Sequence, residues 1–279
     1  MVLDLVRIRS TGGAFGLAGI GSWNLARSGV DIDVPRHVAI AVAAFLGIAF
    51  CQAFNDVIDR DLDRLAGKTR PLAAGQLSLG TARWVSGLCA VGAVLVVSFD
   101  PVLSLAEAAV VGLGVLYSCR LRSTILVGNL LVAAVSTSAF LLPYLSVGEI
   151  GPPALAGWSF VGLYILGNEI FKTQVDRRGD REYGLRTVAT AAPSAASSAA
   201  LLIATCGMAG LATVLAARLR YGWRVAFICT VLLVLLLQLA SLVRLLISTR
   251  EWIGLDWEGA QTWWKIPWVP AGLLLLMVR

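Results

Sequence analysis

Apolar residues run through this chain in long blocks that charged residues interrupt only at the ends. Val38 to Phe54 carries no charge, and the residues that follow are dense in acid. A helix that crosses a bilayer needs about 20 mostly apolar residues. Blocks of that length lie at roughly 11–29, 36–57, 81–99, 101–118, 124–146, 154–174, 190–216, 224–248 and 262–278. The pattern therefore predicts an all-α polytopic membrane protein of about nine transmembrane helices. The first and last blocks are the least apolar, and a tight turn is required around Asp100-Pro101. No internal repeat is obvious, although the second and sixth blocks both end in an acidic cluster, which hints at two related halves.

Composition supports the same class. Of 279 residues 58% are hydrophobic and 14% charged, and the mean hydropathy is +0.80. A soluble domain of this make-up would present one continuous apolar surface to water. The net charge of +6 does not indicate nucleic acid, because the basic residues are scattered between apolar blocks rather than gathered into a patch. With nine spans, 17 basic residues fall on one side and 6 on the other. The richer side is expected to face the cytoplasm, and it holds both acidic clusters. Trp84, Trp158, Trp223, Trp252, Trp257, Trp263, Trp264 and Trp268 lie near block ends and read as an interfacial belt. Five scattered cysteines without a CxxC pair indicate neither a zinc site nor a disulfide framework. The single His37 stands at a helix start and is assigned no chemistry. No A-x-A-like cleavage site follows Met1–Ser10, so the first block is expected to be a retained helix. Arginine outnumbers lysine 20 to 3, which points to a GC-rich, bacterial source and hence to a bacterial cell membrane.

The chemistry concentrates in two places. In Asn55-Asp56-Val57-Ile58-Asp59-Arg60-Asp61-Leu62-Asp63, the carboxylates of Asp56, Asp59 and Asp63 recur at i, i+3 and i+7. They share one face if the apolar helix continues. Like charges so placed repel, and a hard divalent cation that bridges to substrate phosphates would resolve the conflict. The second place follows the sixth block, where Lys172, Asp176 and Asp180 step by four. One cation and two carboxylates in line can hold a second Mg²⁺ and a phosphate oxygen. Taken alone, the second cluster reads equally as a solvated loop at a membrane face. Two on one side, each after a long span, favour a Mg²⁺–diphosphate clamp at the mouth of a membrane cavity.

Asn55-Asp56-x-x-Asp59-x-x-x-Asp63 resembles the first aspartate-rich motif of the UbiA superfamily of intramembrane prenyltransferases. Arg70-Pro71-Leu72-Ala73-Ala74-Gly75 is similar to the family's RPLxxG stretch. Tyr117-Ser118-Cys119-Arg120-Leu121-Arg122, ending in Gly128-Asn129, resembles its YSxxLK…GN segment. Lys172 to Thr187 resembles the second motif, KxxxDxxGDxxxGxxT. The resemblance implies a single domain over 1–279, with nine helices around a central cavity capped by cytoplasmic loops. It implies Mg²⁺ held by Asp56, Asp59 and Asp63 together with Asp176 and Asp180. Asn55 would join the first site, and Arg60, Lys68, Arg122 and Lys172 would meet diphosphate oxygens, with Tyr117 also at the substrate. Arg122 stands where lysine is usual, and its fork keeps the phosphate role. Asn168 stands where a basic residue is common.

The expected activity is transfer of a prenyl group from a prenyl diphosphate to a lipophilic acceptor, aromatic by expectation, within the bilayer. The alternative is a UbiA-type terpene cyclase, in which the chain's own double bond is the nucleophile. Both need the same carboxylates. A transporter fits less well, because its charges would not cluster at one face.

Overall fold

A computed structural model describes residues 1–65, 67–192, 194–217, 221–247, 257–266 and 276. The chain forms two compact units, one of residues 1–122 and 135–150 and the other of residues 123–134 and 151–279. Among the described residues seven helices are long and apolar enough to cross a membrane.

The first unit begins with a single turn, α1 (Val2–Leu5), and α2 (Ile8–Arg27). The 20-residue α2 is rich in glycine and is not among the seven apolar helices. Its end is set by Gly29, whose positive φ of 94° is open to glycine at little cost. α3 (Val34–Leu65) follows, 32 residues long. At 1.5 Å per residue it extends about 48 Å, well beyond the ~30 Å hydrocarbon layer. The span expected to end at 57 thus continues as helix for two more turns and carries the whole acidic motif on its projecting end. α4 (Leu79–Val96) is capped by Ser78, whose hydroxyl accepts from the Thr81 N–H at 3.0 Å. The turn at Asp100-Pro101 is as tight as expected. Asp100 caps α5 (Pro101–Cys119) by accepting from the N–H groups of Val102 and Leu103, with proline at the first helical position. Asp100 also accepts from Arg36 Nη2 at 2.6 Å, which ties the start of α5 to the start of α3.

α6 (Val127–Val147) contributes its C-terminal part to this unit and passes close to α2. A Cβ built on Gly21 would lie 2.6 Å from the Phe140 carbonyl oxygen, so only glycine fits there. In the same way, Gly47 of α3 leaves room for the Glu107 carboxyl of α5, which is 1% exposed.

The second unit contains α7 (Pro152–Val175), the short α8 (Arg177–Glu182) and α9 (Val188–Ala191), then α10 (Ser194–Ala217) and α11 (Tyr221–Ile247). The nine-residue α12 (Trp257–Lys265) packs on α7 and α11. The expected ninth span at 262–278 falls largely outside the described residues. Trp264 corrects the reading of the tryptophans as a belt. It is fully buried, its Nε1 donates to the Tyr164 carbonyl at 3.0 Å, and the Tyr164 hydroxyl donates back to the Trp264 carbonyl. Its ring lies on Gly167, where any Cβ would come within 2.1 Å of it. An apolar wall of Leu202, Ile203, Leu232 and Leu236 remains exposed on α10 and α11 for lipid. All five cysteines are free.

This packing predicts that Gly167→Val lowers the thermal unfolding midpoint in detergent, with a cost of about 1–3 kcal/mol from overpacking. Gly12→Ala has nothing within 4 Å of the added methyl and is expected to leave the midpoint unchanged or slightly higher.

Candidate active site

The carboxylates of the first cluster lie on the projecting end of α3, and all three are nearly inaccessible: Asp56 2%, Asp59 5% and Asp63 1% exposed. They do not stand bare against one another, as the spacing alone implies. Asp56 Oδ1 accepts from Arg7 Nη2 at 2.5 Å and from Arg70 Nη1 at 2.9 Å. The same Arg70 nitrogen bridges to Asp63 Oδ2 at 2.5 Å, and Lys68 Nζ lies 3.4 Å from Asp63 Oδ1. Asp59 accepts from Asn55 Nδ2 at 2.9 Å and pairs with Arg122. Four basic side chains therefore converge on three carboxylates. Repulsion along the helix is offset by cations brought in from α2's start, the 67–78 loop and the turn after α5.

Local packing explains how those cations arrive. Leu72 and Ala73 of the RPLxxG stretch are buried, and Leu72 shares an apolar cluster with Leu5, Ala53 and Ala82. Anchoring Leu72 fixes Arg70 two residues earlier over the acidic face. Leu5 in the same cluster fixes Arg7. Of the other expected residues, Arg60 binds the neighbouring exposed Asp61 through Nε at 2.8 Å and none of the three cluster carboxylates. Tyr117 is half-buried near the end of α5.

The second cluster belongs to the other unit. α7 ends at Val175 and α8 starts at Arg177, with Asp176 in right-handed helical conformation at the junction. The Asp176 N–H donates to the Lys172 carbonyl and the Asp180 N–H to the Asp176 carbonyl, each at 2.9 Å. The four-residue step therefore survives the change of helix, and Asp176 and Asp180 are half-buried. Lys172 Nζ is held by both Glu169 oxygens at 3.0 Å. Upstream, Asn168 Oδ1 accepts from Gln261 Nε2 of α12 at 3.1 Å. Downstream, Thr187 and Thr190 form a capping box at the start of α9.

Residues 15–253 match the UbiA prenyltransferase family. The chain belongs to this family. Among curated relatives, the digeranylgeranylglyceryl phosphate synthase of Methanopyrus kandleri is 34% identical over 164 residues, 58% of this chain and 59% of that protein. The chain thus spans little more than half of that relative's length. The enzyme of the same name from Ignicoccus hospitalis is 32% identical over 226 residues, 78% of this chain and 73% of its own. Among solved structures, a UbiA homolog from Archaeoglobus fulgidus bound to GPP and Mg²⁺ superposes with a TM-score of 0.70. It is 17% identical, with 99% of each chain covered, and so shares the fold.

In this UbiA-family chain the first motif fits a divalent cation in kind. Asp56 Oδ2 is buried with no hydrogen-bond partner, and a guanidinium nitrogen already serves as the cation between Asp56 and Asp63. Hard carboxylate oxygens are what Mg²⁺ takes. Among the described residues, however, no three Asp, Glu, His or Cys side chains are gathered around one point. A cation at this site would have to displace some of the basic partners.

Sequence reasoning gave no role to Arg7, Arg70 or Glu169. Arg70 stood within a quoted motif, and Glu169 stood at i−3 from Lys172, a spacing that pairs on a helix. Arg7, 49 residues from Asp56, leaves no sequence signal. Glu107 was also passed over. Its Oε2 is buried without a hydrogen-bond partner inside α5, and a carboxyl at that depth is costly.

The ion-paired arrangement changes the expected effect of removing a carboxylate. Asp56→Ala, measured without divalent cations, is expected to destabilise the protein by on the order of 2 kcal/mol, because two guanidinium groups lose their shared acceptor. Asp61→Ala, at a largely exposed site, should leave the unfolding midpoint in place. Equal midpoints for the two variants would contradict the network.

Proposed function

We propose that this protein is a Mg²⁺-dependent intramembrane prenyltransferase that moves a prenyl group from a prenyl diphosphate to a lipophilic acceptor. The observation that carries the reading is the end of α3, where three buried carboxylates meet four basic side chains beyond a membrane-long apolar helix. Family membership and the ligands named for the Archaeoglobus fulgidus homolog support it.

Residues 1–279 act as one UbiA-like domain with two metal-binding motifs. Asp56, Asp59, Asp63, Asp176 and Asp180 hold the metal. Bound Mg²⁺ would neutralise the diphosphate and make it a better leaving group. Lys68, Arg70, Arg122 and Lys172 supply fixed positive charge to oxygens that gain negative charge as the allylic C–O bond breaks. Arg60 joins them only by leaving Asp61. Asn55 orients Asp59, and Tyr117 contacts substrate at the end of α5. Apolar helix walls keep water from the carbocation.

The curated relatives are named for a product, a glyceryl phosphate carrying two geranylgeranyl chains. That product favours a lipid glyceryl phosphate as acceptor, and the relatives give the expected aromatic acceptor no support. The relatives named above are archaeal and give the expected bacterial source no support. An active site opening to the cytoplasm remains part of the proposal and rests on the basic-residue asymmetry.

Turnover is expected to vanish in chelator and to return with Mg²⁺, while Ca²⁺ substitutes poorly because it prefers longer bonds and more ligands. Asp59→Ala and Asp180→Ala should each lose most activity, a deficit of about 10²-fold or more for loss of a metal ligand. Product analysis with geranyl or geranylgeranyl diphosphate separates the acceptors: a prenylated glyceryl phosphate lipid is expected, and a prenylated phenol would reinstate the aromatic reading. A terpene formed without any acceptor would establish the cyclase instead. For orientation, a cysteine at Ser78 in a background without native cysteines should resist an impermeant thiol reagent outside intact cells. It should be labelled once the membrane is opened; labelling from outside would reverse the proposed topology.

A further inference from the structure

Arg7 is held in a way that its neutralising role does not require. Asp56 already has a partner in Arg70, bonded to the same Oδ1, yet Arg7 Nη2 reaches that oxygen at the shorter distance of 2.5 Å. The two guanidinium groups therefore crowd one oxygen while Asp56 Oδ2 goes unused. Arg70 is also shared with Asp63, whereas Asp56 is the carboxylate to which Arg7 is paired. The backbone at Arg7 is left-handed, φ 49° and ψ 60°, a region a side chain other than glycine enters only when its surroundings impose it. Those surroundings are identifiable. Leu5 is wholly buried against Ala53, Leu72 and Ala82, and the buried Thr11 hydroxyl bonds the Val6 carbonyl. An anchor on each side thus holds the turn and delivers the guanidinium, which remains 28% exposed, to the acidic face.

We propose that Arg7 is an exchangeable counter-ion of Asp56, which it holds while no metal is bound and leaves for the substrate's diphosphate oxygens when a divalent cation takes its place. The inference rests on the proposed metal-dependent reading of the first motif and adds a ligand that none of the motifs contains. A guanidinium and a divalent cation on one carboxylate oxygen repel each other, so Arg7 must move on loading. Its accessible fork suits a diphosphate, which offers paired oxygens. Arg70 bonds both Asp56 and Asp63, whereas Arg7 bonds Asp56, so Arg7 gives up fewer contacts on leaving.

The exchange predicts effects of opposite sign, which a purely structural contact would not produce. Calorimetric titration of the full chain in detergent would use Mg²⁺ alone and then inorganic pyrophosphate at saturating Mg²⁺. Arg7→Ala is expected to tighten Mg²⁺ binding several-fold, because a competitor is gone. It should weaken pyrophosphate binding by about tenfold, the effect of one lost charge-assisted hydrogen bond. Arg7→Lys keeps the charge without the fork, and both shifts should keep their sign at smaller size. It carries the test if the alanine variant does not fold. Affinities unchanged in both variants, or weakened in parallel, would overturn the exchange while leaving the metal site intact. Failure of the wild-type chain to bind Mg²⁺ or pyrophosphate would overturn both the exchange and the metal reading.

Discussion

A carboxylate cannot be placed at the edge of a bilayer without a partner, and three of them on one helix face need several. That requirement organises the first unit. α3 is the longest helix, and its acidic end is stable because the chain returns basic residues to it from segments far apart in sequence. Arg7 comes from before α2, Lys68 and Arg70 from the loop after α3, and Arg122 from beyond α5. Each delivery depends on an apolar anchor nearby. Leu5 and Leu72 share one buried cluster with Ala53 of α3 itself. Hydrophobic burial supplies the stability, and the ion pairs set the register. For partly exposed pairs that division is the usual one, since an ion pair loses much of its Coulomb gain to desolvation.

The same pairs bear on chemistry. A site that holds its carboxylates on arginines has its negative charge balanced before any ligand arrives, so the helix end can be buried and ordered. Under the proposed function, loading would be a trade of partners in which no buried charge is left uncompensated, consistent with the cost of exposing a lone ion to low dielectric.

In the second unit α12 has the organising role. Its tryptophan occupies a notch that only glycine can provide on α7, and its Gln261 reaches Asn168. These contacts fall just before Glu169 and Lys172, so the helix that carries the second motif is braced immediately upstream of its charged residues. Asn168, where the family resemblance leads one to expect a basic residue, is a neutral amide with a neutral partner.

Much of this was legible in one dimension because the bilayer is a simple solvent. It demands runs of about 20 apolar residues, so seven of the nine expected spans, the helical class and the helix carrying each motif follow from hydropathy alone. The carboxylates were legible too, since i, i+3, i+7 spacing on a helix needs no tertiary information to be recognised. What pairs with those carboxylates was not. Arg7 lies 49 residues from Asp56, and no local rule links them. Arg60 is adjacent to Asp59 in sequence yet pairs with Asp61, because one residue on from Asp59 it stands about 100° round the helix from the acidic face. Trp264 read as an interfacial residue and is core, since a tryptophan near a span end serves either purpose and only the notch at Gly167 decides. Residue type and period set what each helix could carry; long-range packing alone determined which charges meet.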